Sequence, residues 1–238
     1  MDNKQYFALA ALMTILAIAI YYGFKRKQKS GIPAYNFYTG LLARSNEGHA
    51  PFSVSVYGDS ISVPSQLGAV LQLKLGVAFA FQNFAVAGTR LTQWLLAIPG
   101  MGFNLLPIKE QIAADSSSVL VCRYGINDAL QNADLNLFKQ MLITFVETTR
   151  DRNKIPVLVG LTKMSSPQPD AQMKRAIFNN AIYEIACRYV VHFIDLDVVA
   201  FDPQMDTPDF LHPSAQYYER IDDHLANQLI ERHIFIPV

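Results

Sequence analysis

Five apolar runs, separated by segments of helical periodicity, constrain this chain more than any other feature. The runs cover residues 52–57, 79–86, 119–124, 155–161 and 190–196. The first alternates apolar residues with serine, and the set is near-continuously apolar, as expected of strands buried on both faces. Between them lie amphipathic stretches. Leu67, Val70, Leu71 and Leu75 share one helix face in residues 64–75. Leu135, Phe138, Leu142, Phe145 and Thr149 share another, as do Phe178, Ile182, Ile185 and Tyr189, and then Tyr218, Ile221, Leu225 and Leu229. Shorter helices are expected over residues 91–98 and 105–114. Strand–helix alternation of this kind predicts a three-layer α/β/α domain around a five-stranded parallel sheet.

The first fifty residues follow a different rule. Residues 6–24 carry no charge and are rich in Ala, Leu, Ile and aromatics. As a helix they span about 28 Å, close to the hydrocarbon thickness of a bilayer. Tyr6 and Phe7 mark one end, Tyr21 and Tyr22 the other, where interfacial aromatics belong. Lys25, Arg26, Lys27 and Lys29 follow at once, a basic flank unlike a signal-peptide cleavage region. The expected organisation is a transmembrane anchor in residues 1–24, a linker in 25–50 and a catalytic domain in 51–238. The basic flank places that domain in the cytoplasm by the positive-inside rule, with a periplasmic or extracellular domain as the alternative.

Twenty basic and twenty acidic side chains leave no net charge, so nothing points to nucleic acid as a partner. Cys122 and Cys187 both fall in apolar-periodic segments and read as buried thiols. They lack zinc-site spacing, and no metal or cofactor is expected.

The chemistry lies in the loops. Strands of a parallel sheet end at one edge, so the loops that follow them are neighbours in space. The first run ends in Gly58-Asp59-Ser60. The second leads to Ala87-Gly88-Thr89-Arg90, and the third to Gly125-Ile126-Asn127-Asp128. Before the last helix comes Asp209-Phe210-Leu211-His212. This set of four blocks resembles the SGNH hydrolases, also called the GDSL esterase/lipase family. The resemblance covers residues 51 to 232. Its one departure is Ile61, where the family name implies leucine. It implies a flavodoxin-like sheet and cleavage of carboxylic esters, acyl or acetyl.

The residues support that chemistry independently. A serine hydroxyl becomes a useful nucleophile when a base removes its proton, and His212 is the candidate base for Ser60. Asp209 lies three residues before His212, so one turn brings its carboxylate to the imidazole. The resemblance assigns the oxyanion hole to the backbone N–H groups of Ser60 and Gly88 and the side-chain amide of Asn127. Arg90 and Trp94 are expected beside the substrate, and Met101 and Phe103 in an apolar lip or simply over the sheet. Asp59 is expected to hold the turn and Asp128 to order its own loop. Asp202 and Asp206 are rival partners for His212. His49, His192, His224 and His233 read as structural or solvated. Ser62 stands where an α/β-hydrolase elbow has its last glycine, which disfavours that fold. The reading is therefore a membrane-anchored serine esterase. The alternative is a catalytically silent anchored binding or structural protein on the same fold.

Overall fold

A computed structural model describes residues 53–76, 80–95, 107–232 and 234. The expected anchor and linker, Met101 and Phe103, and His49 and His233 lie outside the described residues. Among the described residues, no helix is long and apolar enough to cross a membrane.

The elements are β1 (Ser53–Gly58), α1 (Leu67–Leu75), β2 (Ala80–Asn83), a 3-10 turn (Leu91–Leu95), α2 (Ile108–Ala114), β3 (Val119–Arg123) and α3 (Ile126–Leu130). Then come α4 (Leu135–Asp151), β4 (Ile155–Val159), α5 (Pro169–Tyr189), β5 (His192–Ile194) and α6 (Ala215–Glu231). All strand pairs are parallel, in the order β2-β1-β3-β4-β5. The order reverses between β1 and β3, so the crevice at their carboxyl ends is the natural ligand position.

Both faces of the sheet are covered. Tyr57, Leu120, Cys122 and Leu158 pack with Ile112 of α2, Phe138 and Phe145 of α4, and Ile182 and Ile185 of α5. Helices α1 and α6 pack against each other separately. Every residue of β3 and β4 is buried, which is why these strands read as unbroken apolar runs. Side chains start two of the helices. Asp134 accepts from the N–H of Leu137 at 2.7 Å to begin α4, and Ser214 accepts from that of Tyr217 at 3.3 Å to begin α6.

Several elements differ from expectation. The expected helix over residues 64–75 begins only at Leu67. The second strand is four residues long, although Phe84 and Val86 still donate to the carbonyls of Val56 and Gly58 at 2.8 and 2.9 Å. At Asn83 the side chain donates to the Ser62 carbonyl and accepts from the Ala85 N–H. The last strand is also short, at three residues. Both lie at sheet edges, where a strand has a hydrogen-bonded neighbour on one side only. Residues 91–95 form a 3-10 turn rather than the start of an α-helix. Cys122 is buried, but Cys187 is exposed. On α5, Ile185 and Ala186 face the core, and the next position rotates outward by about 100°.

Candidate active site

Strand β1 delivers Ser60 through a turn that admits only glycine at its entrance. A Cβ on Gly58 would lie 2.2 Å from Ser62 Oγ. The N–H of Ser62 donates to the Asp59 carbonyl at 2.9 Å, and that of Ile61 to Asp59 Oδ1 at 3.1 Å. These bonds fix Ser60, half-buried, at the carboxyl edge of the sheet.

The loop before α6 brings its partner. Asp209 Oδ1 accepts from the N–H groups of Leu211 at 3.0 Å and His212 at 2.6 Å. This local turn leaves Oδ2 facing His212 Nδ1 at 2.6 Å. The other ring nitrogen, Nε2, lies 3.1 Å from Ser60 Oγ, across 152 positions of chain. Ser60, His212 and Asp209 are thus connected without a gap. Burial pushes the Asp209 carboxyl up, but bonds from the His212 ring, the His212 N–H and the Leu211 N–H outweigh it and hold it at about 2. A carboxylate so held stays ionised and keeps an acceptor against Nδ1. Asp202 and Asp206 are occupied elsewhere, Asp202 Oδ1 accepting from the Gln204 N–H at 2.9 Å. Asp206 accepts from Asp202 N–H at 2.7 Å and from Arg220 at 2.5 Å, stiffening the same loop.

The two remaining blocks are clasped to each other. Gly88 has φ +77°, a left-handed conformation that suits glycine, and nothing lies within 4 Å of where a Cβ would stand. Gly125 has φ +132° and turns β3 into α3, which carries Asn127 and Asp128 in its first turn. Asn127 Nδ2 donates to the Thr89 carbonyl at 3.0 Å. That bond orients the amide and leaves its second N–H free to serve another acceptor. Asp128 accepts from Leu91 N–H at 2.9 Å, Thr92 N–H at 3.0 Å and Thr92 Oγ1 at 2.8 Å. Its carboxylate therefore caps the 3-10 turn. The expectation that Asp128 orders its own loop is corrected: it orders the loop beside Gly88.

The model of the GDSL-like lipase/acylhydrolase family matches residues 54–220 of the chain. The chain belongs to this family. As a GDSL-family protein it is a carboxylic ester hydrolase. A search of curated proteins found no match. Solved structures of similar fold include a lipase/acylhydrolase from Enterococcus faecalis (17% identity, TM-score 0.63, covering 76% of this chain and 96% of that one). The psychrotrophic esterase EstA from Pseudoalteromonas sp. is similar at 16% identity and TM-score 0.58, covering 75% of this chain and 97% of that one. An acetyl xylan esterase from Geobacillus stearothermophilus is similar at 16% identity and TM-score 0.60, covering 79% and 97%.

Beneath the Ser60 turn this GDSL hydrolase buries a charged cluster. Asp59 is fully buried. Burial raises its carboxyl to about 7, opposed by the Ile61 N–H, reinforced by Asp128 and opposed again by Arg123. Arg123, paired across the sheet with Gly58, reaches Asp222 of α6 at 3.4 Å. Asp222 also accepts from Ser65 Oγ at 2.8 Å and Gln66 N–H at 2.6 Å. The last helix is thereby tied to the segment that follows Ser60. Asp222 was not among the residues expected from sequence. Its signal was a carboxylate beside Ile221 on the inward stripe of α6, where a charge needs a buried partner.

Of the expected substrate contacts, Arg90 is half-buried and its N–H donates to Gln93 Oε1 at 2.9 Å. The side chain of Trp94 lies outside the described residues. His192 is half-buried on β5 and lowered to about 4, chiefly by burial and then by Arg232 and Arg150. His224 Nε2 meets the Asp195 carbonyl at 3.0 Å. Among the described residues, no cluster of three or more His, Cys, Asp and Glu could hold a metal ion.

Proposed function

We propose that this chain is a membrane-anchored serine esterase that hydrolyses acyl or acetyl esters through an acyl-enzyme. The observation that carries the reading is the continuous path from Ser60 Oγ through the His212 ring to Asp209, with links of 3.1 and 2.6 Å. In this mechanism Ser60 Oγ bonds to the ester carbonyl carbon while its proton passes to His212 Nε2. Asp209 accepts from Nδ1–H, fixing the tautomer and stabilising the imidazolium. The carbonyl oxygen gains negative charge, which the N–H groups of Ser60 and Gly88 and the Asn127 amide stabilise. The carbon–oxygen bond to the alcohol then breaks, and His212 returns the proton to the departing oxygen. Water, deprotonated by His212, releases the acid and restores Ser60.

Arg90, just before the turn clasped by Asp128, and Trp94, on it, would flank the substrate. The uncharged stretch of residues 6–24, its aromatic ends and its basic flank support an anchor with the catalytic domain on the cytoplasmic side. Two assays test the reading. Purified wild type should turn over p-nitrophenyl acetate, while Ser60→Ala and His212→Ala should each lose at least about a thousandfold. Unchanged turnover in either variant rejects the mechanism. Reporter fusions at either end test the anchor and its orientation.

A further inference from the structure

Phe210 occupies a position that an aromatic residue rarely takes. Its φ is +70°, in the left-handed region where a Cβ is strained. Among the described residues, four non-glycine residues share positive φ: Asn132, Asn153, Val190 and Phe210. Asparagine tolerates this region, and Val190 follows the end of α5 as its cap. Phe210 alone lies between the two members of the Asp209–His212 pair.

The strain belongs to the turn that seats His212, but it does not require an aromatic side chain. The turn lets Asp209 Oδ1 collect the N–H groups of Leu211 and His212, and a glycine would make it more easily. Leu211 turns inward against Ile61, Ile126, Met164 and Ala171. The Phe210 residue is 54% exposed, so its ring gains little from burial within the chain. An exposed aromatic ring carried at a strained backbone angle beside reacting groups points to a contact made with a ligand. A second exposed apolar residue, Val63 at 48%, stands three positions after Ser60. These two loops meet at the bond between Ser60 and His212.

The direction of proton transfer decides which part of a ligand meets them. His212 protonates the departing alcohol oxygen, so the alcohol portion must leave past the His212 loop. The mechanism proposed above assigns the acyl carbonyl to Gly88 and Asn127, in other loops. We propose that Phe210 forms an apolar rest for the alcohol portion of the ester, and that the enzyme selects esters of apolar alcohols. This rests on the esterase reading above.

The test varies the alcohol at constant acyl group. Rates on ethyl, hexyl and 2-naphthyl acetate are compared with rates on ethyl butyrate, for wild type, Phe210→Gly, Phe210→Asn and Phe210→Leu. Glycine and asparagine both suit positive φ, so each variant keeps the turn, and thermal unfolding verifies it. Wild type should favour hexyl over ethyl acetate in kcat/KM. That ratio should fall about tenfold in the glycine and asparagine variants, a loss typical of one apolar contact, and less than about threefold with leucine. The butyrate-to-acetate ratio should move less than about twofold. An unchanged hexyl-to-ethyl ratio in both variants overturns the proposal. So does an equal fall in the butyrate-to-acetate ratio, which would mean that Phe210 only shapes the turn. If wild type shows no Ser60-dependent hydrolysis, the esterase reading fails and takes this inference with it.

Discussion

Removing the Asp128 carboxylate should detach the loop that presents Gly88. Its two oxygens accept from Leu91 N–H, Thr92 N–H and Thr92 Oγ1 at 2.8–3.0 Å. Leu91 is fully buried, so in Asp128→Ala its N–H has neither protein nor water as partner. An orphaned buried donor costs about 1–3 kcal/mol. Thr92 is half-buried and can recruit water, so losing its two bonds should cost less, about 1 kcal/mol together. Relief of repulsion between Asp128 and Asp59 offsets part of this. The net expectation is about 2–3 kcal/mol, or roughly 4–12 °C in Tm for a domain of this size. Asp128→Asn keeps one acceptor and sets an amide N–H against that of Leu91, so it should lose about half as much. Turnover should fall further than stability implies, about 10- to 100-fold in kcat with little change in KM, because the proposed mechanism uses the Gly88 N–H in the transition state. Urea unfolding and steady-state ester hydrolysis measure the two effects. An alanine variant within about 0.5 kcal/mol of wild type, with kcat within about threefold, would refute the clasp.

Other perturbations follow from the same geometry. Gly58→Ala places a Cβ 2.2 Å from Ser62 Oγ and should cost at least about 2 kcal/mol in urea unfolding, with partial recovery in the Gly58→Ala/Ser62→Gly double variant. Asp59 has a folded pKa near 7 against 3.8 unfolded, so the fold favours its protonated form. Its contribution is full below pH 3.8 and declines as pH rises to 7, by about 2–4 kcal/mol. Asp59→Asn should remove that decline, and a parallel pH–stability curve for both proteins would contradict the burial argument. Asp222→Ala leaves Arg123 buried without its carboxylate and should destabilise by about 3–5 kcal/mol, measured by urea unfolding.

What could be read from sequence was what local patterns encode. Strands β3 and β4 are buried on both faces, so continuous apolar character gave them away. The Asp209–His212 pair was visible because its bond is made within one turn. The approach of Ser60 followed only from the parallel sheet, which gathers strand ends at one edge. Features stabilised by distant polar partners left weaker traces. Helix α3 has five residues and no apolar period, since Asn127 and Asp128 are buried through bonds to Thr89, Leu91 and Thr92. The role of Asp222 depends on Arg123, 99 positions away. Phe210 gave no signal, because a backbone angle is not written in residue type.

The most direct measurement is the site of covalent capture. Wild-type protein treated with a fluorophosphonate and digested should yield a single adduct, on the peptide containing Ser60. The same treatment of folded His212→Ala should yield almost none. Labelling at another serine, or equal labelling of Ser60 without His212, would show that this imidazole does not activate that hydroxyl.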